Sequence, residues 1–281
     1  MRETEVPPRR YRFAYEKLGA AAFLSHLDVI RAIPRAFRRL ELPLHYSRGF
    51  HPKPDMTFGP ALSLGVASLC EVVDIKIAGD IDPSGLLGEL SAGAHAGLRF
   101  CAGIKLGNAD PAVTRVIDAA RYVVGIPRTV IEAHGGEAWL RDRVRAALAA
   151  GELVVWRRID GIGKRIEVRG LLRSIAVASE ASVWLERAGI AGDLVALSVD
   201  VDVRASGGVK VGEVIEAVTG DAELPHRAVR VYLGRRGENG SVVSPLEVGE
   251  LREKGGGEGA GASAGVGGCA GESGCAGESD S

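Results

Sequence analysis

A chain of 281 residues, 46% hydrophobic and 25% charged, has the composition of a folded globular protein with room for one large or two small domains. Its formal net charge of −1 hides a split: residues 1–254 carry 35 basic against 32 acidic groups, while residues 255–281 carry four acids and no Lys or Arg. An excess of three does not by itself argue for nucleic acid. The opening MRETEVPPRR has no apolar leader and no uncharged apolar run reaches about 18 residues, so a cytoplasmic location is expected.

Taken in chain order, RYRFAYE (10–16) alternates Tyr11, Phe13 and Tyr15 on one face and reads as a strand. Ser25-x-x-Asp28 resembles a capping box, and Leu27, Ile30, Ile33, Phe37 and Leu40 follow at helical spacing. Pro34 inside that pattern costs a hydrogen bond, so the helix either kinks there or restarts with Pro34 in its first turn. Short strands over 44–46 and 72–77, a helix over 83–94 and a strand over 98–106 complete a β-α-β-β-α-β order. The order then repeats: strand 121–126, helix 136–150, a hairpin of 153–159 and 165–168 turning at DGIG, strand 194–203, helix 209–218 and strand 228–233. Residues 174–185 add an extra strand pair. The expected fold is α+β, two ferredoxin-like (split βαβ) units packed together, over residues 8–110 and 114–242.

From residue 255 the chain is Gly, Ala, Ser and Glu with no aromatic residue, so 255–281 is expected to be a disordered tail. Cys70 and Cys101 sit in apolar strand-like runs as small buried residues, and Cys269 and Cys275 fall in a repeated GCAGES. None of the four makes a CxxC pair, which leaves structural zinc and iron–sulfur ligation without their signatures.

The chemistry-bearing side chains crowd into FLSHLDVIRAIPRAFRRLELPLHYSRGFHPKP (23–54). Arg31, Arg35 and Arg38 recur every three or four residues and so share one helix stripe, with Arg39 beside it. Such a stripe suits a phosphate backbone or an acidic partner, and equally a solvated face. His26 follows the expected cap, where an imidazole serves as a general acid–base group, as an anion ligand, or simply as a buried hydrogen-bonding residue. In the loop after the helix, Gly49 answers a need for positive φ, and Pro52 and Pro54 stiffen the display of Phe50, His51 and Lys53. The expected binding residues are Ser25, His26, Asp28, Arg31, Arg35, Arg38, Tyr46, Ser47, Gly49, Phe50, His51, Pro52 and Lys53, with His26, His51 and Tyr46 the catalytic candidates. No metal site is expected, because His45 and His51 do not complete a ligand spacing with His26.

The stretches RFAYEKLG (12–19), FLSHLD (23–28) and YSRGFHPKP (46–54) together resemble the radical SAM-linked (radical SAM-associated) protein family, a bacterial domain of unknown function. GKRIEVRGLLRSI and RAVRVYL extend the likeness over residues 10–236. The resemblance implies a module that works beside a B12-binding radical SAM protein, near RNA-processing functions. The partner would carry the iron–sulfur cluster, S-adenosylmethionine and cobalamin, and this chain would bind none of them. The leading expectation is a non-catalytic accessory domain that presents RNA or another polyanion to that partner. A metal-independent endoribonuclease using His26 or His51 is the second reading, with Tyr46 or an arginine steadying the transition state. A module for protein contacts alone is the third.

Overall fold

The computed structural model describes residues 7–159, 161–204, 208–237 and 241–248, so the expected disordered tail lies outside the described residues. The first half runs β1 (Pro8–Lys17), α1 (His26–Arg39), β2 (Met56–Phe58), β3 (Ala67–Ala78), α2 (Leu87–Gly93) and β4 (Leu98–Leu106). The second runs β5 (Ala119–Pro127), α3 (Arg128–Ala133), α4 (Gly136–Ala149), β6 (Val154–Ile159), β7 (Ile162–Glu167), β8 (Leu172–Val177), α5 (Ser182–Arg187), β9 (Leu194–Asp202), α6 (Val211–Thr219), β10 (Arg227–Arg236) and β11 (Val242–Val243).

The class is α+β, built on one large mixed sheet. Its order is β4-β1-β3-β10-β5-β9-β8, with β2 also paired to β3 and β11 to β10. Within each half the neighbours are antiparallel, whereas β3 and β10 join the halves in parallel at Val229↔Ala67 and Arg230↔Ser68. The halves therefore meet edge to edge. Alternation along the strands then sends helices to opposite sides. Tyr11, Phe13, Tyr15, Val73, Ile75 and Ile77 face α1 and α2, while Val72, Tyr122, Val124 and Ile126 point to the other side, where Leu140, Val144 and Val214 of α4 and α6 close the core. The hairpin β6–β7 belongs to neither half of the large sheet and forms a sheet of its own.

Several expectations are corrected. Residues 44–46 are no strand. The edge beside β3 is paired at Leu44↔Ile77, leaves as a loop closed by Tyr46↔Pro54, and returns as β2 at Met56↔Ile75. Pro43, Pro52 and Pro54 lack the amide donors that a continuous ladder would need. The helix expected from 83 starts at Leu87, since Asp82 Oδ1 holds the Ser84 amide in a turn at 3.1 Å. Residues 174–185 are not a strand pair: after β8, the buried Ala181, Leu185 and Ala188 recur at helical spacing and α5 forms. Pro34 neither splits nor ends α1, which runs unbroken through it with Pro34 buried. Cys70 and Cys101 are half-buried rather than buried.

Candidate functional site

The start of α1 is built by its own sequence. Ser25 Oγ accepts from the Asp28 amide at 3.2 Å, and Asp28 Oδ2 accepts from the Ser25 amide at 3.1 Å and its hydroxyl at 2.6 Å. These bonds hold the Asp28 carboxyl below its usual range, first through the Ser25 hydroxyl. The Ser25 hydroxyl and one carboxylate oxygen of Asp28 are thus spent on the cap. His26, the first helical residue, is half-buried and meets the ring of Phe58 edge-on, with centroids 6.0 Å apart.

Next to His26 the strands assemble a charged cluster. Lys17 comes from β1, Glu71 from β3 and Arg230 from β10, and all three are buried, as is Tyr15. Arg230 Nε donates to Glu71 Oε1 at 2.9 Å, its Nη2 bonds the same oxygen, and Nη2 also reaches the Pro60 carbonyl at 3.2 Å. Lys17 Nζ donates to the Ala22 carbonyl at 2.9 Å. Two cations face one carboxylate, and burial makes that imbalance felt. Burial lowers the Lys17 ammonium and raises the Tyr15 hydroxyl well above its ordinary value. Burial alone would lower Arg230, but Glu71 overrides it and holds the guanidinium charged. His26 is lowered by burial, with Arg230 and Lys17 adding to the effect against Glu71. At neutral pH its imidazole is therefore neutral. Among the described residues it has no hydrogen-bond partner to orient it as an acid–base group.

The outer face of α1 divides along its length. Val29, Ile33, Ala36 and Phe37 are buried. On the exposed side Leu27 and Ile30 lead, and Phe23 and Leu64 stand exposed beside the helix start. Phe23 and Leu64 also line a cleft of about 310 Å³ together with His226 and Arg227. Arg31, Arg35 and Arg38 follow, all exposed. Arg31 lies 4.0 Å from Asp28, an exposed contact worth little, and Arg35 and Arg38 make no ion pair among the described residues. Arg39 is different: its Nη1 ties α1 to the Gly93 carbonyl of α2.

The loop 46–54 is a finger looped out of the sheet edge. Its neck is closed by the Ser47 amide to the Lys53 carbonyl at 2.8 Å and by the Lys53 amide to Ser47 Oγ at 3.1 Å. Its root is fixed by Asp55, whose Oδ2 accepts from Lys76 Nζ at 2.8 Å. Gly49 has φ 139°, so the expected need for glycine is real. Phe50 at the tip is completely exposed (102%), with Arg48, His51, Pro52 and Lys53 exposed around it and Tyr46 at the neck 37% exposed. Phe58 pairs with Val73, whereas the finger leaves beside Lys76, three residues on and so about 10 Å along β3. His26 and the pair His51 and Tyr46 thus belong to two separate places.

Lys17, Glu71 and Arg230 escaped the sequence reading. The available signal was a charge embedded in apolar strand runs, as in FAYEKLG, LCEVVDI and AVRVY.

The model of a family described as "Uncharacterized protein conserved in bacteria (DUF2344)" matches residues 10–201, which include the cap, the finger and the hairpin. The chain belongs to that family. The DUF2344 match ends within β9, before the strand that supplies Arg230. Among curated proteins, none matches the chain. Among the described residues of this DUF2344 chain, no group of three or more His, Cys, Asp or Glu could hold a metal ion, and no helix is long and apolar enough to cross a membrane.

Proposed function

We propose that this chain is a radical SAM-associated accessory domain that presents RNA or another polyanionic substrate to a partner enzyme. The observation that carries the proposal is the unpaired row on α1. Arg35 and Arg38 point into solvent without counter-ions among the described residues, and the chain beyond them leads directly to a finger bearing Arg48, Lys53 and the wholly exposed Phe50. Guanidinium groups without carboxylates are free to neutralise phosphates, and an exposed ring offers a face to an unpaired base. The strand order of each half (fourth, first, third, second) supports the reading of two ferredoxin-like units. The exposed Phe23, Leu27, Ile30 and Leu64 at the helix start suit a seat for a partner protein. That the partner is a B12-binding radical SAM enzyme rests on the sequence resemblance alone.

The test is a salt titration of binding to single-stranded and duplex RNA, with wild type against Arg35→Glu/Arg38→Glu. Wild type should lose affinity steeply with salt, and the variant should lose roughly 0.7 of a log–log slope unit for each single-strand phosphate contact removed. Equal slopes, or no binding at low salt, would reduce the row to a solvated face. The same samples incubated with a chelator report on the endoribonuclease reading: cleavage lost in His26→Ala or His51→Ala would make the chain an enzyme.

A further inference from the structure

The hairpin β6–β7 has an exposed face that neither the fold nor the α1 reading employs. Its register sets Trp156 opposite Arg165 and Arg158 opposite Gly163 on one side, and Val155 opposite Ile166 and Arg157 opposite Lys164 on the other. The second side roots the hairpin. Val155 is buried, and Arg157 Nε and Nη2 donate to Glu213 of α6 at 2.6 and 2.7 Å, with Nη2 also on the Gly208 carbonyl at 2.9 Å. The first side must then look outward, because successive side chains in a strand point to opposite faces.

On that outward side Trp156 is 67% exposed. A Cβ added at Gly163 would lie 3.6 Å from its Cε3, so the indole rests against a bare backbone position and turns its other face to solvent. Arg158 and Arg165 flank the ring on this side, whereas Lys164, opposite Arg157, belongs to the rooted side. Arg165 pairs with Glu152, but both are solvent-exposed, and Arg158 and Lys164 have no ion pair among the described residues. An indole left this open is an exception on a protein surface, and here it stands among cations.

The position repeats. In the first half the finger, tipped by Phe50, interrupts the chain between α1 and β3; in the second the hairpin interrupts it between α4 and the strands β8 and β9. Each excursion carries an exposed aromatic ring beside basic side chains, Phe50 at the tip of the finger and Trp156 midway along β6.

We propose that the hairpin is a binding platform for single-stranded nucleic acid, in which a base stacks on Trp156 while Arg158 and Arg165 neutralise the flanking phosphates. It goes beyond the α1 reading and does not depend on it. A protein strand added to a free edge of β6 or β7 is the competing occupant. The aromatic face and its cations favour the nucleic acid, since an added strand would need neither.

The experiment titrates the full chain with a fluorescently labelled oligouridylate of about twelve nucleotides, long enough for one platform. Trp156→Ala should weaken binding by about 5- to 150-fold, while Trp156→Phe, which keeps a stacking ring, should retain most of it. Arg158→Glu/Arg165→Glu should lower the log–log salt slope by about 1.4, two single-strand phosphates' worth. Near-ultraviolet circular dichroism of each variant establishes that the fold is kept. Binding unchanged in Trp156→Ala overturns the platform, as does wild type that binds no oligonucleotide at low salt, including when the hairpin instead takes up a protein strand. If Arg35→Glu/Arg38→Glu abolishes binding and Trp156→Ala does not, the α1 surface survives and the platform falls; the reverse pattern sinks the α1 surface and keeps the platform.

Discussion

The seam between β3 and β10 and the outer face of α1 use the same side chain to opposite ends. At the seam Arg230 is sealed from water and shares Glu71 with nothing to spare. Across the other edge of β3, Arg12 of β1 is equally buried, with Asp74 at 2.6 and 2.9 Å and the Pro245 and Pro111 carbonyls at 2.7 and 2.8 Å. It clamps the linker between the halves and the chain after β10 onto the sheet. Along α1, Arg35 and Arg38 touch no carboxylate among the described residues. Burial decides the difference. A guanidinium removed from water must find a counter-charge, and its loss then strands that charge; one left in water is replaceable as far as stability goes.

Removing one member of a sealed pair should have the largest effect. Arg230→Met leaves Glu71 buried without its hydrogen-bonded guanidinium and facing only Lys17, and we expect a loss of about 3–5 kcal/mol in urea unfolding. Glu71→Leu combined with Arg230→Met should recover much of it; a single variant as stable as wild type would mean the seam is wetter than described. Next in size is the cap. Ser25→Ala should cost about 1 kcal/mol, with Ser25→Thr, which keeps the hydroxyl, retaining most of the stability. Smaller again is a pH effect at His26. Burial sets its folded pKa below the ordinary 6.5, so the unfolded chain binds the proton more readily. Its contribution is whole above about pH 6.5 and fades as pH falls through the lower folded value. His26→Gln should therefore flatten the decline in urea midpoint between pH 7.5 and 5, and identical slopes for the two proteins would refute this. Smallest of all, Arg35→Ala with Arg38→Ala should move stability by no more than about 0.5 kcal/mol while altering RNA affinity. A large drop in thermal midpoint would place these arginines with Arg230 instead.

Local rules made part of this molecule readable. The cap at Ser25 and Asp28, β1, β4, α4 and the DGIG hairpin each announce themselves through spacing within a dozen residues. The edge strand did not, because eleven residues, the nine of the finger among them, separate Leu44 from its continuation at Met56. Nor did the seam. A parallel pairing of Val229 with Ala67 has no sequence pattern of its own, so Glu71 and Arg230 look like isolated charges in apolar runs until the strands are laid side by side. The finger was legible in composition and its tip in exposure, whereas the division of labour inside it was not: Ser47 closes the neck, and Phe50 is free.

The parallel splice also sets an order of events at synthesis. Glu71 and Arg230 are 159 residues apart, and a ribosome adding about 5–20 residues per second needs on the order of 10–30 s to deliver the second after the first. Throughout that interval the first half has β1, β3 and β4 available, yet β3 has an unmatched edge and a carboxylate without its counter-ion. Arrested nascent chains that stop short of β10 should accordingly be cut by protease near β3, and chains extended past it should be protected there. Strand β10, which emerges after all the other strands but β11, would then act as the lock of the large sheet.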